Sequence, residues 1–203
     1  MKKALLHLEA ADPILGAIIR QVGPYAINYH APDFTALARS IVYQQLSGKA
    51  AATIFARVLA AAGRGGKLSP AKLTALGPAG LRPLGLSQQK ASYLLDLASR
   101  RIPFSRLPAL DDAEVLSSLT AVKGIGVWTA QMFLLFALER PDVFPTGDLG
   151  IRNAIHKAYN LSTPPTPAEM EQIAQPWRPY ASVATWYLWR SLDGAAGFPV
   201  TLD

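Results

Sequence analysis

Leu119-Thr120-Ala121-Val122-Lys123-Gly124-Ile125-Gly126-Val127-Trp128-Thr129-Ala130 is the stretch on which the fold turns. Apolar residues at helical spacing flank a Gly-x-Gly turn, so one short helix ends and a longer one begins. Glycine admits positive φ and lets the backbone come close to a partner. The unpaired N–H groups that open the second helix suit an anion such as phosphate. Read on its own, the turn is equally a plain corner between two helices.

Outward from this turn the chain reads as helices. Asp33 heads an apolar stripe through Phe34, Leu37, Ala38, Ile41 and Val42, and Ser47-Gly48 interrupts it. A second run spans 50–62 and stops at Gly63, and 63–70 reads as a basic, Gly-rich loop. Ser87 caps a helix expected to run through Arg101, and Asp111-Asp112 open one to Leu119. Trp128–Leu138 reads as a helix, and Asp148 stands in N-cap position before Leu149, Ile151, Ala154 and Ile155. Thr166-Pro167-Ala168-Glu169 has the form of a capping box. Pro179 is expected to open a last helix through Arg190, ended by Asp193-Gly194. Period-2 alternation is almost absent, so the expected class is all-α with many short helices.

Composition narrows the function classes. Of 203 residues, 50% are hydrophobic and 17% charged, which supplies a packed interior and argues against disorder. The chain has no cysteine, so thiolate metal sites, iron–sulfur clusters and thiol nucleophiles are excluded. Its three histidines, His7, His30 and His156, lack metal-ligand spacing. The longest apolar runs, Met132–Leu138 and Leu59–Ala62, fall short of the roughly 18 residues of a membrane span. Glu9 and Asp12 break the apolar start, so no signal peptide is expected. A net charge of +6 favours a polyanionic partner, nucleic acid before membrane. Gly63-Arg64-Gly65-Gly66-Lys67 faintly suggests a P-loop, but Leu68 replaces the required Ser/Thr and Ala61 the first Gly.

Val122–Ala130, with Asp148 following 20 residues after Trp128, resembles the signature of the helix-hairpin-helix DNA glycosylase superfamily. Ser40–Ser47, Gly85–Ala91, Asp148–Arg152 and Trp177–Tyr180 are similar to the 3-methyladenine DNA glycosylase II branch. The resemblance covers roughly residues 10–193. It implies a two-lobed all-α fold with the active site in the cleft between lobes. It also implies one glycosylase unit over 1–203, without the N-terminal β-rich domain that some members carry. The implied activity is extrusion of alkylated bases of the 3-methyladenine and 7-methylguanine type from double-stranded DNA, then hydrolysis of the N-glycosidic bond to an abasic site. A cytoplasmic, nucleoid-associated monomer with no membrane role and no required cofactor is expected.

The resemblance assigns roles residue by residue. Asp148, otherwise a plain N-cap, becomes the catalytic carboxylate facing the sugar. Cleavage of an N-glycosidic bond builds an oxocarbenium-like cation, which a carboxylate stabilises, as in glycoside hydrolysis. Trp128 stands where the glycosylase/lyase branches carry a Schiff-base lysine, which implies a monofunctional, water-using enzyme. Trp128, Tyr180 and Tyr43 are candidate walls of the base pocket, with Trp177 behind them; Trp186 and Trp189 read as core. Gln45 or Leu46 would be the wedge that fills the vacated stack. Gly124, Gly126, Lys123 and Thr129 would hold phosphate. Backbone carbonyls of Thr120, Val122 and Ile125 would bind a structural Na+ or K+. Two departures, Ala181 where relatives often have Arg and Leu149 where some have an aromatic, bear on base selectivity. The hairpin alone would equally suit a non-catalytic DNA-binding module, against which Asp148 and the Trp177–Tyr180 segment argue.

Overall fold

The computed structural model describes residues 1–193. Eleven α-helices lie among them: α1 (Lys2–Ala11), α2 (Pro13–Val22), α3 (Phe34–Tyr43), α4 (Gly48–Ala62), α5 (Pro70–Leu81), α6 (Gln88–Ser99), α7 (Asp112–Thr120), α8 (Val127–Phe136), α9 (Leu149–Ala158), α10 (Pro167–Ala174) and α11 (Ala181–Arg190). The all-α reading holds. The chain forms two compact units, residues 1–29 with 139–193 and residues 30–138. No helix of the described residues is long and apolar enough to cross a membrane.

The caps read from sequence are made. Asp33 accepts from Ala36 N, Ser87 from Lys90 N and Asp148 from Ile151 N. Asp111 with Glu114 and Thr166 with Glu169 close reciprocal capping boxes. Each satisfies amides that a helix leaves unpaired at its start.

Several boundaries differ from the sequence reading. The expected helix over 50–62 begins two residues earlier, at Gly48. α6 ends at Ser99, because Arg100 takes an extended conformation as C-cap, so neither Arg100 nor Arg101 lies in its last turn. Residues 63–70 are not simply a loop. Gly63–Arg64 pairs antiparallel with Lys67–Leu68, since Gly65 and Gly66 both take the positive φ of a two-residue hairpin turn. The last helix opens at Ala181, not Pro179, because Tyr180 is non-helical (φ −119°, ψ 28°). Of its expected stop, Gly194 lies outside the described residues.

Three helices carried no clear sequence signal. α1 has no side-chain cap, α2 is hidden behind Asp12-Pro13, and α5 contains Gly77-Pro78, where the backbone leaves helical geometry.

In the first unit, α11 packs on α2 and α9, and every residue from Ala181 to Trp189 is buried. Asp12 ties this unit together. Its Oδ1 caps α2 through Ile14 N (2.9 Å) and Leu15 N (3.0 Å). Its Oδ2 accepts from Trp177 Nε1 at 2.8 Å and from the Tyr159 hydroxyl. Burial, reinforced by that bond, pushes the Tyr159 phenol well above its ordinary pKa. In the second unit, α3 packs on α4, α6 and α8, and α5 on α6. α8 is apolar almost all round, as a core helix must be.

Replacing Asp12 with alanine removes a cap and orphans the buried Trp177 indole. Urea denaturation is expected to show a loss of about 3 kcal/mol, against under about 1 kcal/mol for an exposed control such as Glu114→Gln.

Candidate active site

Asp148 ends a loop whose geometry is fixed from both sides. Its amide donates to Pro145 O at 2.9 Å and Thr146 N to Phe144 O at 3.1 Å. The Phe144 ring is buried edge-on against Trp177, with centroids 5.4 Å apart. Just before it, Val143 N donates to Ser182 Oγ of α11 at 2.8 Å. Asp148 as a residue is 9% exposed. Its Oδ1 accepts from Ile151 N at 2.8 Å and from Trp189 Nε1 at 3.0 Å. Gly150 completes the arrangement. A Cβ there would lie 3.0 Å from Asp148 Oδ1 and 3.3 Å from Trp189 Cδ1.

Trp189 and Gly150 are the residues that sequence reasoning missed. Trp189 was assigned to the core, and it is buried, yet its indole N–H is aimed at the carboxylate. The available signal was the rule that a buried Trp finds an acceptor. Trp177, expected behind the pocket walls, is fully buried; its indole serves Asp12 and its ring backs Phe144, so it is a core anchor. Tyr180 is half-buried, edge-on to His7 at 5.4 Å.

In the second unit the hairpin is held by α6. Gly124 takes φ 81°, and a Cβ there would lie 2.1 Å from the Tyr93 ring. Gly126 differs from expectation. Its φ is −88°, and nothing stands within 4 Å of a Cβ built on it, so it serves by leaving the start of α8 uncovered. Lys123 is exposed and its backbone N–H donates to Asp96 Oδ2 at 2.9 Å. The same oxygen accepts from Arg100 Nε at 2.8 Å. Burial would raise the Asp96 pKa, but the Lys123 amide and the Arg100 guanidinium outweigh it and hold it below the usual range. Val122 and Ile125 are buried, and the Val122 carbonyl accepts from Ile125 N at 3.1 Å; Thr120 is the last residue of α7. Thr129, expected at phosphate, is buried on the inner face of α8.

Aromatic walls do face open space in this unit. Trp128 is 43% exposed and lines a cavity of about 500 Å³ with Tyr43, Gln44, Gln45 and Met132. Arg39 stacks on Tyr43 at 4.1 Å from the ring centroid and donates to its hydroxyl at 3.0 Å. A neighbouring cavity of about 350 Å³ shares Ser40, Tyr43, Thr129 and Met132. Gln45 takes φ 56°, and Leu46 is exposed. Among the described residues no group of three or more His, Cys, Asp or Glu could hold a metal ion.

The family profile described as HhH-GPD superfamily base excision DNA repair protein matches residues 38–179. The chain belongs to this superfamily. DNA-3-methyladenine glycosylase 1 of Schizosaccharomyces pombe is 32% identical over 200 residues, covering 94% of this chain and 87% of that one. A candidate DNA-3-methyladenine glycosylase of Bacillus subtilis is 33% identical over 179 residues, 84% of this chain. The match spans only 62% of that relative's length. Among solved structures, the Schizosaccharomyces pombe 3-methyladenine DNA glycosylase in complex with abasic DNA superposes with a TM-score of 0.82 at 31% identity. That match covers 94% of this chain and 97% of that one. The superfamily's helical fold agrees with the all-α architecture, and its profile spans both the hairpin and Asp148.

Gly150→Ala tests the packing around the carboxylate. Alanine favours the helix by about 0.8–1 kcal/mol, so thermal stability is expected to hold. Superfamily activity is expected to fall about tenfold or more, because the added methyl displaces Asp148 or Trp189. Full activity in the alanine protein would show that the carboxylate tolerates the shift.

Proposed function

We propose that this protein is a monofunctional DNA glycosylase that removes alkylated bases of the 3-methyladenine and 7-methylguanine type from duplex DNA and leaves an abasic site. The observation that carries this is the Asp148 carboxylate, held at Oδ1 by the Ile151 amide and the Trp189 indole.

An alkylated purine departs with the electron pair of the N-glycosidic bond and leaves a cationic sugar. Asp148 stabilises that cation and orients a water, whose oxygen bonds C1′ while its proton is lost to solvent. The base is already cationic before cleavage and leaves neutral, so no general acid is required. Trp128 stands where an amine would be needed for a Schiff base. Lys123, the nearest lysine of the hairpin, is exposed.

Phosphate falls to the uncapped start of α8, where Gly126 adds no side chain and Lys123 adds charge. Trp128 and Tyr43 offer ring faces to the base, and Gln45 and Leu46 form the wedge. The carbonyls of Thr120, the last residue of α7, and of Val122 and Ile125 in the turn that follows are hard oxygen donors, the chemistry a monovalent cation takes. Such an ion would add positive charge beside the phosphate. The protein is proposed to act as a cytoplasmic monomer on the nucleoid.

Asp148→Asn separates the two roles of this residue. Asparagine caps a helix as well as aspartate, so stability is expected to stay within about 1 kcal/mol. Release of free base from methylated duplex DNA is expected to fall by about 10²–10³. Strand breaks should appear only after alkali. Undiminished release by the Asn variant, or breaks before alkali, would refute the reading.

A further inference from the structure

Three contacts from one side of α6 reach two different loops of the second unit. Lys90 Nζ donates to the carbonyls of Val42 and Gln44, both at 2.6 Å. The Tyr93 ring fills the space beside Gly124. The Asp96 carboxylate holds the Lys123 amide at 2.9 Å. The two loops are also joined directly, because Gln44 Nε2 donates to the Gly124 carbonyl at 2.9 Å. The contacts close a ring running from α6 to the end of α3, to the hairpin, and back to α6.

The end of α3 needs such support. Gln44 leaves helical geometry at φ −52°, ψ 129°, and Gln45 turns into the left-handed region at φ 56°. A non-glycine residue there is sparsely populated and persists where its surroundings over-determine it. Helix termini also leave carbonyls unpaired, and a cation at the C-terminal end satisfies them and the dipole together. Lys90 does both. Burial holds its amine below the ordinary lysine pKa, yet it reaches two acceptors on the very segment that turns outward to Gln45 and Leu46.

We propose that Lys90 is a positioning residue for base extrusion, fixing the Gln44–Leu46 loop to the hairpin so that wedge and phosphate grip move as one rigid piece. This rests on the wedge and glycosylase readings given above. With the loop rigid, the energy of gripping the backbone is transmitted to the segment that opens the stack. With the loop loose, the protein still binds DNA but extrudes poorly.

The test compares an alkylated purine paired in duplex DNA with the same purine opposite an abasic site, where unpairing costs least. Base release is followed under single-turnover conditions, and binding to undamaged duplex by fluorescence anisotropy. Lys90→Met keeps the length of the stem and removes the donors. It is expected to slow release from the paired substrate by about tenfold or more, and from the unpaired one by less than about threefold. Binding to undamaged DNA should stay within about threefold, since the hairpin keeps Tyr93 and Asp96. Lys90→Arg, which retains charge and donors, should recover most of the loss. Equal losses on both substrates, or none on the paired one, would overturn the proposal. If the Met variant does not fold by circular dichroism, Lys90→Gln, whose shorter uncharged side chain cannot bridge the Val42 and Gln44 carbonyls, must show the same selective loss. Absence of release by the wild type from both substrates would instead refute the glycosylase reading itself.

Discussion

A carboxylate taken out of water must be hydrogen-bonded, and at Asp148 this requirement organises much of the first unit. One donor is the Ile151 amide, which exists only because α9 begins at Leu149. Another is the Trp189 indole, which fixes where α11 must lie against α9. Gly150 has no side chain because a Cβ would stand 3.0 Å from the held oxygen. The same logic recurs at Asp12, whose Oδ2 holds the Trp177 indole, while the Trp177 ring supports Phe144 at the start of the loop leading to Asp148. The two buried carboxylates are thus linked through one indole, one phenyl ring and the loop from Phe144 to Asp148. A change at Asp12 reaches Asp148 through packing rather than through charge.

In the second unit the governing constraint is steric. Gly124 sits against the Tyr93 ring in a conformation that side chains disfavour, so the hairpin has one way to lie on α6. Asp96 adds direction by holding the Lys123 amide, and with that amide fixed the lysine side chain remains on the exposed face. Gly126 has a different task from Gly124. Its backbone is ordinary, and its missing side chain leaves the first amides of α8 uncovered. One Gly-x-Gly pair therefore combines a packing requirement with an access requirement.

The sequence carried what local chemistry encodes. Asp33, Ser87, Asp111, Thr166 and Asp148 each announce a helix start by a side chain that caps within three residues, and each does so in the structure. The hairpin was legible for the same reason. What stayed hidden depends on partners far along the chain. Nothing near Trp189 tells that its indole meets a carboxylate 41 residues earlier, nor near Trp177 that its acceptor is Asp12. Thr129 was placed at phosphate from its position beside the turn; its side chain is buried, while that of Trp128, about 100° round the helix, stays exposed. α1 and α2 escaped because Asp12-Pro13, which looks like an interruption, is the cap and first residue of α2.

The two kinds of tryptophan on this chain show how one side chain serves opposite ends. Trp177 and Trp189 are buried, and each spends its N–H on a carboxylate, so their value lies in direction. Trp128 keeps 43% of its surface exposed beside Tyr43, so its value lies in an open ring face. For a reaction that develops positive charge on a sugar, the difference matters. The Ile151 amide and the Trp189 indole are neutral donors, which aim the Asp148 carboxylate while adding no formal positive charge of their own. Orientation by neutral dipoles in a water-poor site is the arrangement in which a single carboxylate acts most strongly on a developing cation.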